Sequence, residues 1–176
     1  MQMRMRVFLQ ETREEDYDRY YNIRCSPSDI YWNGHLSKPD REQFFPIYKT
    51  RLSASPFEKL GDKILFFIML SDENNCIPIG FIQFIWHTDA VEIGYSVVED
   101  YQGKGYATEA LSKAVQFAEK YKKPIIVRIR DDNIASQRVA KKNGFSPSKE
   151  FVNKNYPNAG SIKLRTYYLL EQFQKN

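Results

Sequence analysis

The residues best placed to do chemistry are Tyr101-Gln102-Gly103-Lys104-Gly105-Tyr106-Ala107-Thr108-Glu109-Ala110, where two glycines stand just ahead of a helical apolar pattern. Upstream, Val91-Glu92-Ile93-Gly94-Tyr95-Ser96-Val97-Val98 reads as a strand rich in β-branched and aromatic residues. Downstream, Ala107, Ala110, Leu111, Ala114, Ala118 and Tyr121 recur at three- and four-residue steps, one face of an amphipathic helix. A glycine turn that feeds a strand into a helix leaves the first helical N–H groups without intrahelical partners and with partial positive charge. With no side chain at Gly103 or Gly105, an anion such as a pyrophosphate can reach them. The stretch reads as a phosphate cradle. One carboxylate, Glu92, lies on the strand before it. Period-two alternation places Glu92, Gly94 and Ser96 on one face and Val91, Ile93, Tyr95 and Val97 on the other. A carboxylate on an interior strand faces solvent or a polar cleft.

Other phosphate loops do not fit. A Walker loop needs Gly-Lys followed by Ser or Thr, and here Gly105 precedes Tyr106. A dinucleotide fingerprint needs a third glycine where Thr108 stands. Gln102, Gly105 and Ala107 instead match Gln/Arg-x-x-Gly-x-Gly/Ala, which resembles the coenzyme A loop of the GNAT superfamily of N-acetyltransferases. The Glu92-Ile93-Gly94-Tyr95 strand and the Asn133-Ile134-Ala135-Ser136 and Asn143-Gly144-Phe145 segments strengthen the resemblance. Their order and spacing are similar to the subgroup of ribosomal-protein and spermidine N-acetyltransferases. The resemblance covers residues 77–148 well and the first 75 residues in outline.

That resemblance implies acetyl-CoA as cosubstrate, no metal, and an amine acceptor: a protein N-terminus, a polyamine or a small amine. It implies that Gln102, Gly103, Lys104, Gly105, Tyr106, Ala107 and Thr108 hold the coenzyme's pyrophosphate. Backbone groups of Val97, Val98 and Glu99 would pair with the pantetheine arm. Glu92 is the implied base for the amine proton; the competing reading is a charge paired with a basic neighbour. Asn133 can cap the helix that follows, and the resemblance adds a contact with pantetheine. Many members carry a tyrosine seven residues after that asparagine, where this chain has Ala140. Ser136 is then the nearest candidate to protonate the leaving thiolate, and it can equally be a helix-start residue bonding the backbone. Tyr31 and Trp32 are either core packing or the lining of the acceptor pocket. His35 and His87 have neither metal spacing nor an adjacent nucleophile and read as ordinary polar side chains.

The elements that position these residues follow from pattern. Met5 to Gln10 reads as a strand, and Thr12 before Glu14-Glu15-Asp16 as the cap of a helix reaching Ile23. Tyr17, Tyr20 and Tyr21 form its packing face. Ser26-Pro27-Ser28-Asp29 breaks it, Ile30 to His35 is an aromatic turn, and Lys38-Pro39-Asp40-Arg41 opens a helix to Leu52. Ser53 to Gly61 is a loop. Ile64 to Leu70, Ile79 to His87 and the Glu92 strand form an antiparallel meander, with a turn at Asp72-Glu73-Asn74-Asn75. The passage from Val91 to a strand at Pro124–Ile129 implies a parallel pair with a right-handed crossover. A helix from Ile134 to Asn143 stops at Gly144, and Phe145–Lys154 with Lys163–Leu170 form a last hairpin. The expected fold is a mixed α/β sheet. The resemblance specifies it as GNAT-like: six or seven strands, an antiparallel meander joined to a splayed parallel pair, and helices on both faces.

Composition limits the alternatives. The 176 residues suit one domain, spanning 1–176, with a full core. Apolar residues at 42% argue against disorder, and no apolar run is long enough to span a membrane. With no signal-peptide pattern and with Cys25 and Cys76 outside any CxxC or ligand spacing, a cytoplasmic protein with free thiols is expected. The net charge of +4 is modest for a nucleic-acid binder, and no stacking aromatics interleave the basic residues, so an RNA-directed role ranks last. The competing class is a coenzyme-binding regulatory module without acetyl transfer, motivated by Ala140. Glu11, Glu14, Glu15 and Asp16 are candidates for an acidic acceptor cleft, or simply helix-start residues. A homodimer is left open as the assembly.

Overall fold

In the computed structural model the described residues are 6–52, 59–71, 75–156 and 160–170. Met5, most of the expected Ser53–Gly61 loop, Asp72-Glu73-Asn74 and Pro157-Asn158-Ala159 lie outside them. The strands are β1 (Val7–Glu11), β2 (Lys63–Ser71), β3 (Cys76–Trp86), β4 (Val91–Val97), β5 (Ile125–Arg130), β6 (Phe145–Tyr156) and β7 (Gly160–Leu169). The helices are α1 (Tyr17–Arg24), α2 (Pro27–Trp32), α3 (Arg41–Lys49), α4 (Tyr106–Ala118) and α5 (Ile134–Lys142). One sheet runs in the order β1-β2-β3-β4-β5-β7-β6. All neighbours are antiparallel except β4 and β5. The expected mixed sheet, meander and parallel pair are present.

Alternation along β2 divides the core in two. Ile64, Phe66 and Ile68 join Phe84, Val91 and Ile93 beneath Ala110, Leu111, Ala114 and Ala118 of α4 and Ala140 of α5. Leu65, Phe67 and Met69 join Phe81 beneath Tyr17, Tyr20 and Ile23 of α1 and Phe44 and Tyr48 of α3. Helices therefore cover both faces of the sheet, and the small residues of α4 let it lie close to the strands. The tyrosines of α1 serve as its packing face: Tyr20 is fully buried and stacks on Tyr48 at 5.2 Å between centroids.

Three local expectations change. Thr12 does not cap α1. Its hydroxyl donates to the Leu65 carbonyl at 3.0 Å, tying the end of β1 to β2. Instead, Asp16 accepts the Arg13 N–H at 3.1 Å, and residues Glu14–Asp16 form a short 3-10 turn ahead of the helix. Ser26-Pro27 does more than break α1. Ser26 caps a second helix by accepting from the Asp29 N–H at 3.3 Å, and Pro27 occupies the first helical position, where it has no N–H to lose. Tyr31 and Trp32 consequently end a helix rather than lie in a turn. The last hairpin does form, but β7 inserts between β5 and β6.

Candidate active site

The site is built where β4 and β5 part. Their parallel ladder has two rungs, Val91↔Ile125 and Glu92↔Ile126. Beyond them β4 stays paired with β3 as far as Val97↔Gly80, while β5 stays paired with β7 as far as Arg130↔Leu164. The facing edges of β4 and β5 separate over this stretch. A cleft of about 380 Å³ passes through the opening, lined at one end by Gly103, Gly105 and Thr108 and at the other by Trp32, Glu92, Arg128 and Lys154.

At the first end, Gly103 and Gly105 take left-handed backbone angles, φ 73° and 85°, as a turn into a helix requires here. Gly105 is the residue before α4, and among the described residues no side chain caps the N–H groups that follow. Glu109 does not fold back on them. Its Oε1 accepts the Arg6 N–H at 2.7 Å and the Val7 N–H at 3.0 Å, anchoring the helix to β1. Arg6 in turn donates to the Lys104 carbonyl at 2.6 Å and lies over the Tyr106 ring. Gln102 Nε2 donates to the Val97 carbonyl at 2.7 Å and to Ser28 Oγ at 2.8 Å, fixing the loop to β4 and α2. The loop is thus held from outside while its N–H groups stay uncapped by side chains. That arrangement fits a pyrophosphate.

Most of the expected cofactor residues line the cleft: Val97, Gln102, Gly103, Gly105, Tyr106, Ala107, Thr108 and Asn133. Three expected residues have partners elsewhere. The Val98 N–H donates to the Ile79 carbonyl at 3.0 Å, so it is already committed to β3. Glu99 accepts from the Ser28 N–H and faces α2. Lys104 turns its ammonium to the Asp100 carbonyl at 2.7 Å. None of the three is among the residues lining the cleft.

Glu92 lies at the apex of the opening, with its side chain 14% exposed. Its Oε2 contacts His87 Nε2 and Arg128 Nη1, each at 2.8 Å. Burial pushes the Glu92 carboxyl up, but the His87 hydrogen bond and the Arg128 charge outweigh it and hold the group below its ordinary value. Both contacts fall on one oxygen, and Oε1 has no hydrogen-bond partner among the described residues. Glu92 is therefore both a cleft residue and a paired charge.

Asn133 behaves as expected of a cap: its Oδ1 accepts the Ser136 N–H at 3.0 Å. Ser136 lies on the first turn of α5 and lines the cleft. Its carbonyl accepts from the Tyr95 hydroxyl at 3.0 Å, joining α5 to β4 across the opening. Burial raises the Tyr95 phenol to about 12. Ala140 is fully buried against the sheet and brings no hydroxyl to the cleft.

At the far end Trp32 lines the cleft, whereas Tyr31 is 57% exposed and lies outside its lining. The Arg130 guanidinium packs over both rings at 5.1 Å and donates to the Tyr31 carbonyl at 3.2 Å. Glu11, Glu14, Glu15 and Asp16 do not line the cleft. Glu14 pairs with Lys49 at 3.1 Å, Glu15 with Arg13 at 3.6 Å and Asp16 with Arg19 at 3.7 Å.

Sequence reasoning missed Gln83, Arg128, Lys154 and Tyr156 as lining residues, and His87 as the partner of Glu92. A signal existed for Arg128 and Arg130. They alternate with buried Val127 and Ile129, which puts them on the Glu92 face of the neighbouring parallel strand. Nothing local marks Lys154, because its position depends on where β6 enters the sheet.

Comparison with known proteins agrees with this geometry. The family described as "Acetyltransferase (GNAT) domain" matches residues 6–146. An acetyltransferase of the GNAT family from Bacillus anthracis superposes with a TM-score of 0.74 at 21% identity, covering 95% of this chain and 96% of its own. A spermidine N-acetyltransferase from Vibrio cholerae, solved with CoA and spermine, gives 0.74 at 14% identity, covering 97% and 99%. A ribosomal-protein alpha-N acetyltransferase gives 0.72 at 18%, covering 93% and 89%. At these identities the likeness is one of fold. No curated protein sequence matches significantly.

Proposed function

Because the chain belongs to the GNAT acetyltransferase family, we propose that it is an acetyl-CoA-dependent N-acetyltransferase acting on an amine. The observation that carries this reading is the single cleft running from the uncapped α4 N-terminus, through the parted β4 and β5, to Glu92. When bound, acetyl-CoA supplies the acetyl group as an activated thioester. The N–H groups from Gly103 to Thr108 hold its pyrophosphate, with α4's dipole favouring the charge. Val97 and Asn133 border the pantetheine path. Glu92 receives the amine proton through water. Its low carboxyl value makes it a relay to solvent rather than a store. Ser136, beside the Tyr95 hydroxyl, is the donor nearest the leaving sulfur. Trp32 bounds the acceptor.

One observation favours a second reading, a coenzyme-binding module without transfer: Ala140 is fully buried and supplies no hydroxyl to the thiolate. Incubating the pure protein with acetyl-CoA and an amine panel while following free thiol distinguishes the two. Acceptor-dependent thiol release is expected. Coenzyme binding without release for any amine would select the module.

A further inference from the structure

The charges of the acceptor half do not balance. On the sheet face that carries Glu92, β5 contributes Arg128 and Arg130, β6 contributes Lys154, and β2 contributes Lys63 in line with Ile85 and Glu92 across the ladders. The carboxylates there are spoken for: Glu92 by Arg128 at 2.8 Å and Asp132 by Arg130 at 2.7 Å. Deeper, Asp29 is held by Arg24 at 2.8 Å. Neither the Lys154 nor the Lys63 ammonium has an ion pair or hydrogen bond among the described residues, and that of Lys154 lies over the Tyr156 ring at 5.0 Å. Arg128 Nε is buried without a hydrogen-bond partner among them. Burial first, then the Arg51 and Lys154 charges, lower the Lys63 ammonium to about 8. On the acetyl-transfer reading the coenzyme's pyrophosphate lies at the Gly103–Thr108 end of the cleft, while Lys154 and Arg128 lie with Glu92. Arg138 and Lys142 of α5 also line the cleft, next to Asn143, whose amide donates to the Thr108 carbonyl of the cradle at 3.2 Å.

We infer that the acceptor amine carries an anionic group, a carboxylate or a phosphate, which lies against Lys154 and Arg128 while the amine reaches Glu92. The inference rests on the acetyl-transfer reading and names the substrate class of that site. A polycationic amine would meet like charge at Lys154 and Arg128, and the one carboxylate among the described residues lining the cleft, Glu92, is already paired, whereas an anion gains charge-assisted hydrogen bonds there.

The test is thiol release from acetyl-CoA with matched amines: delta-aminovalerate against pentylamine, phosphoethanolamine against ethanolamine, and spermidine as the polycation. An anionic member is expected to exceed its neutral partner in kcat/KM by about tenfold or more, and the two arms show whether a carboxylate or a phosphate fits. Lys154→Glu, whose fold is checked by thermal melting, is expected to bring that ratio to about one with an unchanged calorimetric Kd for coenzyme A. Turnover of spermidine or of the neutral amines at or above that of the anionic ones overturns the inference and leaves acetyl transfer standing. If no thiol is released, the same compounds are titrated into coenzyme A-loaded protein. Saturable binding of an anionic member that Lys154→Glu abolishes supports the anion site and overturns acetyl transfer instead. Absence of discrimination in both turnover and binding overturns the inference.

Discussion

Glu92 Oε2 and Arg128 Nη1 lie 2.8 Å apart, joining β4 to β5 just past the last rung of their ladder at Glu92↔Ile126. The pair replaces backbone hydrogen bonds with a side-chain bridge at the place where the strands must diverge to admit a ligand. It also keeps the carboxylate ionised, so the same contact that braces the opening prepares the group that faces it.

Glu92→Gln is expected to lower the acetylation rate near neutral pH by about 10²–10⁴, the usual worth of positioned acid–base catalysis. Raising the pH toward the acceptor amine's own pKa is expected to restore much of the rate, because free amine then forms unaided. Coenzyme affinity is expected to hold. Wild-type rates across the whole pH profile in the Glu92→Gln variant would refute the role.

The same residue sets an acid limit on stability. Its folded-state carboxyl lies below the ordinary value of 4.5, so its contribution is complete above that pH and is lost as the pH falls through the lower folded value. Arg128→Met removes the main opposite charge and is expected to cost about 3 kcal/mol near neutrality, a deficit that narrows as the pH falls and Glu92 becomes protonated in both proteins. Denaturant midpoints measured from neutral pH downward decide this; parallel curves for the two proteins would contradict it.

Gly105→Val is expected to raise the Kd for acetyl-CoA at least about tenfold, or about 1.4 kcal/mol. Gly105 sits at φ 85°, where a β-branched residue is strained, and an added Cβ would lie 3.2 Å from Arg6 Nη2. The loop would shift the N–H groups that receive the pyrophosphate. Unchanged affinity by calorimetric titration in a folded variant would remove the cradle assignment.

Ser136→Ala separates protonation from binding. Its N–H and carbonyl are occupied by Asn133 and Tyr95, and both bonds survive the substitution because they use the backbone. A fall in kcat with little change in coenzyme Kd is expected if the hydroxyl serves the thiolate. Equal losses in both would show that Ser136 binds rather than donates.

Arg24→Met is expected to destabilise the fold by about 3–5 kcal/mol, measured by urea denaturation, because it strands a buried carboxylate. Arg24 and Asp29 are 8% and 0% exposed, and their contact fixes α2 against α1. A loss under about 1 kcal/mol, the scale of a surface pair, would show that the interior at this point admits water.

Short-range pattern was enough for much of this protein. Helical periodicity from Ala107 onward and β-branched alternation around Glu92 specified the strand, turn and helix that make the cradle. Period two also placed Glu92 on the opposite face from Val91 and Ile93, as found, because side-chain direction in a strand is local geometry. Asn133 could be read as a cap for the same reason. Thr12 and Val98 could not be read correctly, since a hydroxyl or N–H that suits a local cap or a ligand can be taken by a distant carbonyl, here those of Leu65 and Ile79. The charge around Glu92 was also out of reach. His87 meets Glu92 because β3 and β4 are joined by a tight turn, and Arg128 meets it only across the parallel pair. Lys154 lines the cleft from β6, which joins the sheet only through its pairing with β7, itself slotted beside β5. Sequence determined which groups could bind and react; strand order, a choice among long-range pairings with similar local patterns, decided which of them face one another.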